Sequence, residues 1–208
     1  MKRILIVAAH PDDEALGMGG TIGRFKDECE FQVLFMTDGV GARGWPERWD
    51  EVEQACALMG VEWSCAALKD NMMDTAARLD VIRCIENVVN DFKPDTVFTH
   101  HAGDLNIDHR ITHEATLTAC RSFASQVKRI YAFEVLSSTE CGLSVFDPQH
   151  FIEISILEKL AICRAYRSEM RDYPHPRSIV GIDTLARYRG MQCRGSHAEG
   201  FEVIREVI

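Results

Sequence analysis

The chain has 208 residues, 46% of them apolar, and a formal net charge of −9. That length suits one domain with a sizeable core, and the acidic balance argues against nucleic-acid binding built on phosphate contacts. No uncharged apolar stretch approaches the ~20 residues of a membrane span, and the apolar run behind Met1-Lys2-Arg3 is too short for a signal sequence, so a cytoplasmic protein is expected. The eight cysteines include no Cys-x-x-Cys pair. This predicts reduced, mostly core thiols and neither a disulfide framework nor a cysteine zinc site.

In chain order, residues 3–9 carry the continuous apolar run Ile4–Ala9, the pattern of a strand buried on both faces. It ends in His10-Pro11-Asp12-Asp13-Glu14, and a helical pattern follows over 15–26. Strands are expected at 31–37, 62–68, 96–99, 130–136 and 151–154. Helices are expected at 47–59, 75–92, 108–124, 155–170 and 178–191. Alternating strands and helices imply parallel strands joined by crossovers, hence a Rossmann-like three-layer α/β/α sandwich with a mostly parallel sheet.

In such sheets ligands sit outside the carboxyl ends of the strands. Two polar constellations fall at such ends. His10, Asp12 and Asp13 combine imidazole and carboxylate, ligand types for a hydrolytic zinc ion, with a second carboxylate able to take a proton from water. The plainer alternative is a solvated turn, since turns use Pro and Asp freely. The second constellation is residues 99–113, which hold four of the chain's eight histidines, two aspartates and Asn106. Asp108 suits the N-cap of the following helix, with His109 in its first turn and His113 one turn on. Two metal geometries compete: His10, Asp13 and His109 with His113 as packing, or His109 and His113 both as ligands.

Gly17-Met18-Gly19-Gly20 and Asp38 imitate a dinucleotide-binding fingerprint. However, the strand end is occupied by carboxylates that repel phosphate. The glycines are better read as letting the first helix pack closely on the sheet.

The chain resembles the LmbE-like (PIG-L) zinc-dependent de-N-acetylases. The matches are Ala9-His-Pro-Asp-Asp-Glu14, Thr37-Asp38-Gly39, Arg48-x-x-Glu51-x-x-x-Ala55-x-x-x-Met59-Gly60, Asp104-x-Asn106-x-Asp108-His109-Arg110, Pro176-Arg177-Ser178 and Ala198-Glu199-Gly200-Phe201. The resemblance implies Zn²⁺ held by His10, Asp13 and His109, with Asp12 as general base on a zinc-bound water and Asp108 in the catalytic set. It also implies removal of an N-acetyl group from an amino sugar or amino-sugar conjugate, and a trimeric or hexameric homo-oligomer. Asn106 stands where many relatives have an oxyanion-stabilising histidine, which makes His197 and His100 candidates for that role. Arg48 and Arg177 are candidate substrate contacts, with Arg43, Trp45 and Trp49 nearby. The competing functions are a zinc amidase for another N-acylated metabolite, a metal-containing binding protein and, more remotely, a nucleotide-binding module.

Overall fold

The computed structural model describes residues 2–39 and 48–207; Arg43 and Trp45 lie outside them. Strand β1 (Lys2–Ala8) leads into helix α1 (Asp13–Phe25), followed by β2 (Cys29–Thr37), α2 (Arg48–Met59) and β3 (Glu62–Leu68). Next come α3 (Arg78–Phe92), β4 (Thr96–His100), α4 (Ile107–Ala119) and β5 (Arg129–Phe133). The chain continues through β6 (His150–Glu153), α5 (Ile156–Ala165), α6 (Ile179–Gln192) and β7 (Ala198–Glu206). The sheet order is β3-β2-β1-β4-β5-β7-β6. The pairs among β1 to β5 are parallel, and β7 runs antiparallel to both β5 and β6. The mostly parallel α/β sandwich expected from the sequence is therefore the observed fold.

The apolar run of β1 serves two cores at once. Ile4, Ile6 and Ala8 pack on the face shared with α1, α2 and α5, while Leu5 and Val7 pack on the face shared with α3 and α4. Alternate side chains of a strand point to opposite faces, so a strand covered on both sides must be apolar throughout. The chain leaves β1 toward β2 and β3, then returns to β1's other side at β4. The crevice between the ends of β1 and β4 is thus a topological switch point.

Three expectations need correction. The segment 198–206, read only as a motif, is a strand that extends the sheet antiparallel to β5. Helix α5 stops at Ala165, and the chain then turns through Tyr166 and Glu169. Helix α4 begins at Ile107 and stops at Ala119 rather than 124, and its N-cap is Asn106, whose side chain accepts the Asp108 N–H at 2.8 Å. Asp108 falls inside the first turn and turns its carboxylate elsewhere.

Gly17 acts as expected, whereas Gly19 faces Ile162 of α5 and Gly20 faces Ile154 beyond β6. A Cβ on Gly17 would lie 2.4 Å from the Phe133 ring of β5, so α1 sits against the sheet at a distance only glycine allows. All eight cysteines are free; Cys29, Cys56, Cys120 and Cys163 are buried, and Cys141 is exposed. Among the described residues no helix is long and apolar enough to cross a membrane.

Candidate metal centre

The site is built where β1 and β4 end. Thr37 donates both its main-chain N–H and its hydroxyl to the Ala9 carbonyl, at 2.9 and 3.0 Å, tying the end of β2 to the first motif. Asp12 then adopts φ 116°, a left-handed conformation that costs a non-glycine residue of order 1–3 kcal/mol. This turn sends Asp12 and Asp13 to different sides. Asp13 accepts the His10 N–H at 2.8 Å and faces the histidines, while Asp12 faces two arginines.

Among the described residues, two groups have ligand atoms all within 4.8 Å of one another: His10–Asp13–His109 and His10–Asp70–Asp108. In the first, His10 Nδ1 lies 3.2 Å from His109 Nε2 and 3.4 Å from Asp13 Oδ2, and Asp13 Oδ1 lies 3.4 Å from His109 Nε2. These are close to the ligand–ligand edges, about 3.3 Å, of a tetrahedral ion with ~2.0–2.1 Å bonds. Asp13 Oδ1 is buried and accepts no hydrogen bond. An orphaned carboxylate oxygen facing two imidazole nitrogens is a set of lone pairs that a cation satisfies, so the residues fit a metal.

The second group has a different character. Asp108 accepts main-chain N–H groups of Asn71 at 2.7 Å and Met73 at 3.1 Å, and lies 3.2 Å from His10 Nε2. Asp70 lies 3.3 Å from the same nitrogen. These carboxylates hold the remote nitrogen of His10 and turn its Nδ1 toward Asp13 and His109, the usual arrangement around a ligating imidazole. Asp104 Oδ1 lies 3.1 Å from His109 Nδ1 in the same sense, though off the hydrogen-bond axis. Burial opposes charge on His10, yet the hydrogen bonds it donates to Asp108, Asp13 and Asp70 outweigh it and hold its pKa well above the usual value. The surroundings call for positive charge there.

Asp12 is buried. Burial raises its carboxyl to about 6, against the opposing pull of Arg177. Arg177 Nη1 reaches Asp12 at 2.7 Å and Glu169 at 2.8 Å; Arg48 Nη1 reaches Glu169 at 2.5 Å and its Nη2 lies 3.7 Å from Asp12. Glu51 accepts the main-chain N–H and hydroxyl of Ser168, clamping the turn that carries Glu169. Arg48 and Arg177 thus grip the chain's own carboxylates.

The histidines separate by position. His100 accepts the Ala9 N–H on Nε2 at 2.8 Å and stacks on His109 at 4.0 Å. His113 donates from Nδ1 to the His100 carbonyl at 2.7 Å and belongs to neither ligand group. His197 pairs with Asp183 at 3.1 Å and lines neither cavity beside the cluster. The structure therefore brings together His10, Asp12, Asp13, Asn106, Asp108, His109, Arg48 and Arg177, and leaves His197 apart. Trp49 stacks on Trp63 at 5.2 Å and pins α2 to the core. Asp70, Glu169 and Tyr166 were missed. They are single polar residues without a motif, brought in by the fold alone.

Two adjoining cavities of about 120 and 330 Å³ meet at Asn71, Asn106, Glu169 and Arg177; the first is lined by His10 and Asp12, the second by His109. A further cavity, about 740 Å³, lies at the opposite end of the sheet against Ile4, Thr96 and Arg129 and contains neither ligand group.

The chain is 29% identical over 180 residues to an uncharacterised deacetylase, YaiS, of Escherichia coli K12, covering 80% of this chain and 91% of that protein. Among solved structures, N,N′-diacetylchitobiose deacetylase from Pyrococcus horikoshii superposes with a TM-score of 0.80 at 22% identity, covering 98% of this chain and 84% of that one. GalB, the 4-carboxy-2-hydroxymuconate hydratase of Pseudomonas putida KT2440, superposes with a TM-score of 0.81 at 20% identity, covering 100% and 98%. A deacetylase and a hydratase on one scaffold speak for fold alone. The sequence is more specific: residues 5–120, which carry both ligand-bearing motifs, match the GlcNAc-PI de-N-acetylase model, and the chain belongs to that family, PIG-L.

Proposed function

We propose that this protein is a Zn²⁺-dependent hydrolase that removes the N-acetyl group from an amino sugar or amino-sugar conjugate. The metal is held by His10, Asp13 and His109. The observation that carries the reading is the facing set of acceptor atoms on those three residues, with a separate buried carboxylate, Asp12, beside them. Family membership and the deacetylase among its sequence relatives support the acetamide as the bond attacked.

Zn²⁺ at this position supplies Lewis-acid polarisation of the carbonyl and lowers the pKa of a water to about 7. Asp12 takes the proton of the attacking water and returns it to the departing nitrogen, so that the leaving group is a neutral amine rather than an amide anion. A carboxyl lifted to about 6 by burial is suited to both transfers near neutrality. Asp70 and Asp108 keep His10 in the ligating orientation, and Asn106, whose side-chain oxygen caps α4, lines the cavity.

The test is release of acetate and free amine from N-acetylglucosamine, N,N′-diacetylchitobiose and N-acetylglucosaminyl-inositol. Activity should be abolished by chelation and restored by zinc. Asp12→Asn should keep about one zinc per chain and lose at least ~10²-fold in turnover. Absence of acetate from every substrate, or full activity in Asp12→Asn, overturns the reading.

A further inference from the structure

We infer that Arg177 is a catalytic residue: its free Nη2 donates to the carbonyl oxygen that becomes anionic. This rests on the deacetylase reading above and names the group that reading lacks, the charged oxyanion donor.

The hydrogen-bond inventory around the cavities singles it out. Arg177 Nε donates to Ser137 Oγ at 2.8 Å and to the Leu136 carbonyl at 3.3 Å, and Nη1 is spent on Asp12 and Glu169. Its Nη2 has no partner among the described residues, and the side chain, 16% exposed, lines both cavities. The guanidinium is held rigidly on one side and left with two protons on the other. The alternatives are committed or buried. His100 Nε2 accepts from Ala9, its unpartnered Nδ1 is buried and the residue lines neither cavity, and His197 is paired with Asp183. Arg48 donates to Glu169 and to the Pro11 carbonyl, and its unpartnered Nε is buried. Asn106 spends its oxygen on the helix cap and keeps its NH₂, but that group carries no charge.

The reaction moves charge to where Arg177 is released. At the start, the guanidinium is balanced by ionised Asp12. As the water oxygen bonds to the acetyl carbon, the water's proton passes to Asp12 and the carbonyl π pair moves onto the carbonyl oxygen. Asp12 becomes neutral at the moment the oxyanion forms, and Arg177 exchanges one anion for the other. When the C–N bond breaks, the oxyanion pair re-forms the carbonyl and the Asp12 proton goes to nitrogen, leaving the amine and acetic acid, whose hydroxyl, the remainder of the attacking water, then ionises to give acetate. An interaction gained in the transition state and weak in the ground state accelerates the reaction; one equal in both does not. Glu169, shared by Arg48 and Arg177, is the positioning residue that keeps the guanidinium in place during the exchange.

The experiment compares wild type, Arg177→Met, Arg177→Lys, Arg177→Ala and Asn106→Ala, each loaded with zinc and checked for metal content and melting temperature. Arg177→Met should lose about 10²–10³-fold in kcat, the cost of one oxyanion donor, with KM within a few-fold and zinc retained. Calorimetric affinity for a tetrahedral anion, glucosamine bearing a methylphosphoramidate in place of the acetamide, should fall in step with kcat/KM, while affinity for glucosamine stays level. Added guanidinium should restore part of the Arg177→Ala rate, and Arg177→Lys, which preserves charge and folding, should lie between the extremes. The inference is overturned if Arg177→Met and Arg177→Lys stay within about tenfold of wild type in kcat. It is equally overturned if the loss appears only in KM, if the tetrahedral anion binds Arg177→Met undiminished, or if Asn106→Ala alone carries the loss. A wild type inactive on every acetylated sugar removes the deacetylase reading and this inference with it; an active wild type indifferent to Arg177 removes only the inference.

Discussion

Glu14 accepts the main-chain N–H of Asp12 at 3.1 Å, and the Tyr166 hydroxyl donates to the other Glu14 oxygen at 2.6 Å. A left-handed, non-glycine residue needs such a brace, because its conformation is unfavourable by itself. Glu14 is fully buried, and burial pushes its carboxyl up to about 8. Tyr166 comes from the turn behind α5, so two distant segments hold the backbone of the proposed base.

Tyr166→Phe should therefore lower stability by about 1–3 kcal/mol, since it leaves a buried carboxyl short of its partner, and should lower kcat with zinc content unchanged. Thermal denaturation and metal analysis check this; an unchanged melting temperature and rate would remove Tyr166 from the brace.

Metal affinity should separate ligands from their supports. His109→Ala should strip zinc, Asp108→Ala should weaken it about 10–100-fold through loss of the His10 orientation, and His113→Ala should retain it. Competition with a chromophoric chelator measures all three, and loss of zinc in His113→Ala would contradict the ligand set.

Gly17→Ala should destabilise by roughly 1–3 kcal/mol, because its Cβ would meet the Phe133 ring at 2.4 Å in a packed core. Phe133→Leu in the same chain should recover part of that loss. Denaturant melts decide the point, and a neutral Gly17→Ala would mean that α1 shifts freely on the sheet.

The pair His101–Glu202, 2.6 Å apart, should make stability pH-dependent. Burial opposes charge on His101, but the Glu202 hydrogen bond outweighs it and raises the imidazole pKa. A raised histidine contributes stability that is fully present below the unfolded value of about 6.5 and lost as pH rises through the folded one. Glu202→Gln should thus cost about 1 kcal/mol, roughly 2–4 °C, at pH 6, and much less at pH 9. Equal losses at both pH values would show that the pair does not act through the imidazolium.

Much of the proposed centre was legible because its parts are local. His10, Asp12 and Asp13 lie in one turn behind an apolar strand, and Asn106, Asp108 and His109 lie in one helix start. Chain spacing puts each set at a strand end, and the parallel-sheet rule puts both ends on one side. The sequence alone could not choose between His109 with His10 and His109 with His113, because both geometries satisfy local spacing. The choice depends on which nitrogens face each other across β1 and β4, and on His113 turning to the His100 carbonyl. Nor could it show that Arg48 and Arg177 hold Asp12 and Glu169, that Asn106 rather than Asp108 caps α4, or that 198–206 completes the sheet. Those are contacts between segments separated by tens of residues. Tertiary packing decides them, because a buried charge must find its partner wherever the fold brings one within reach.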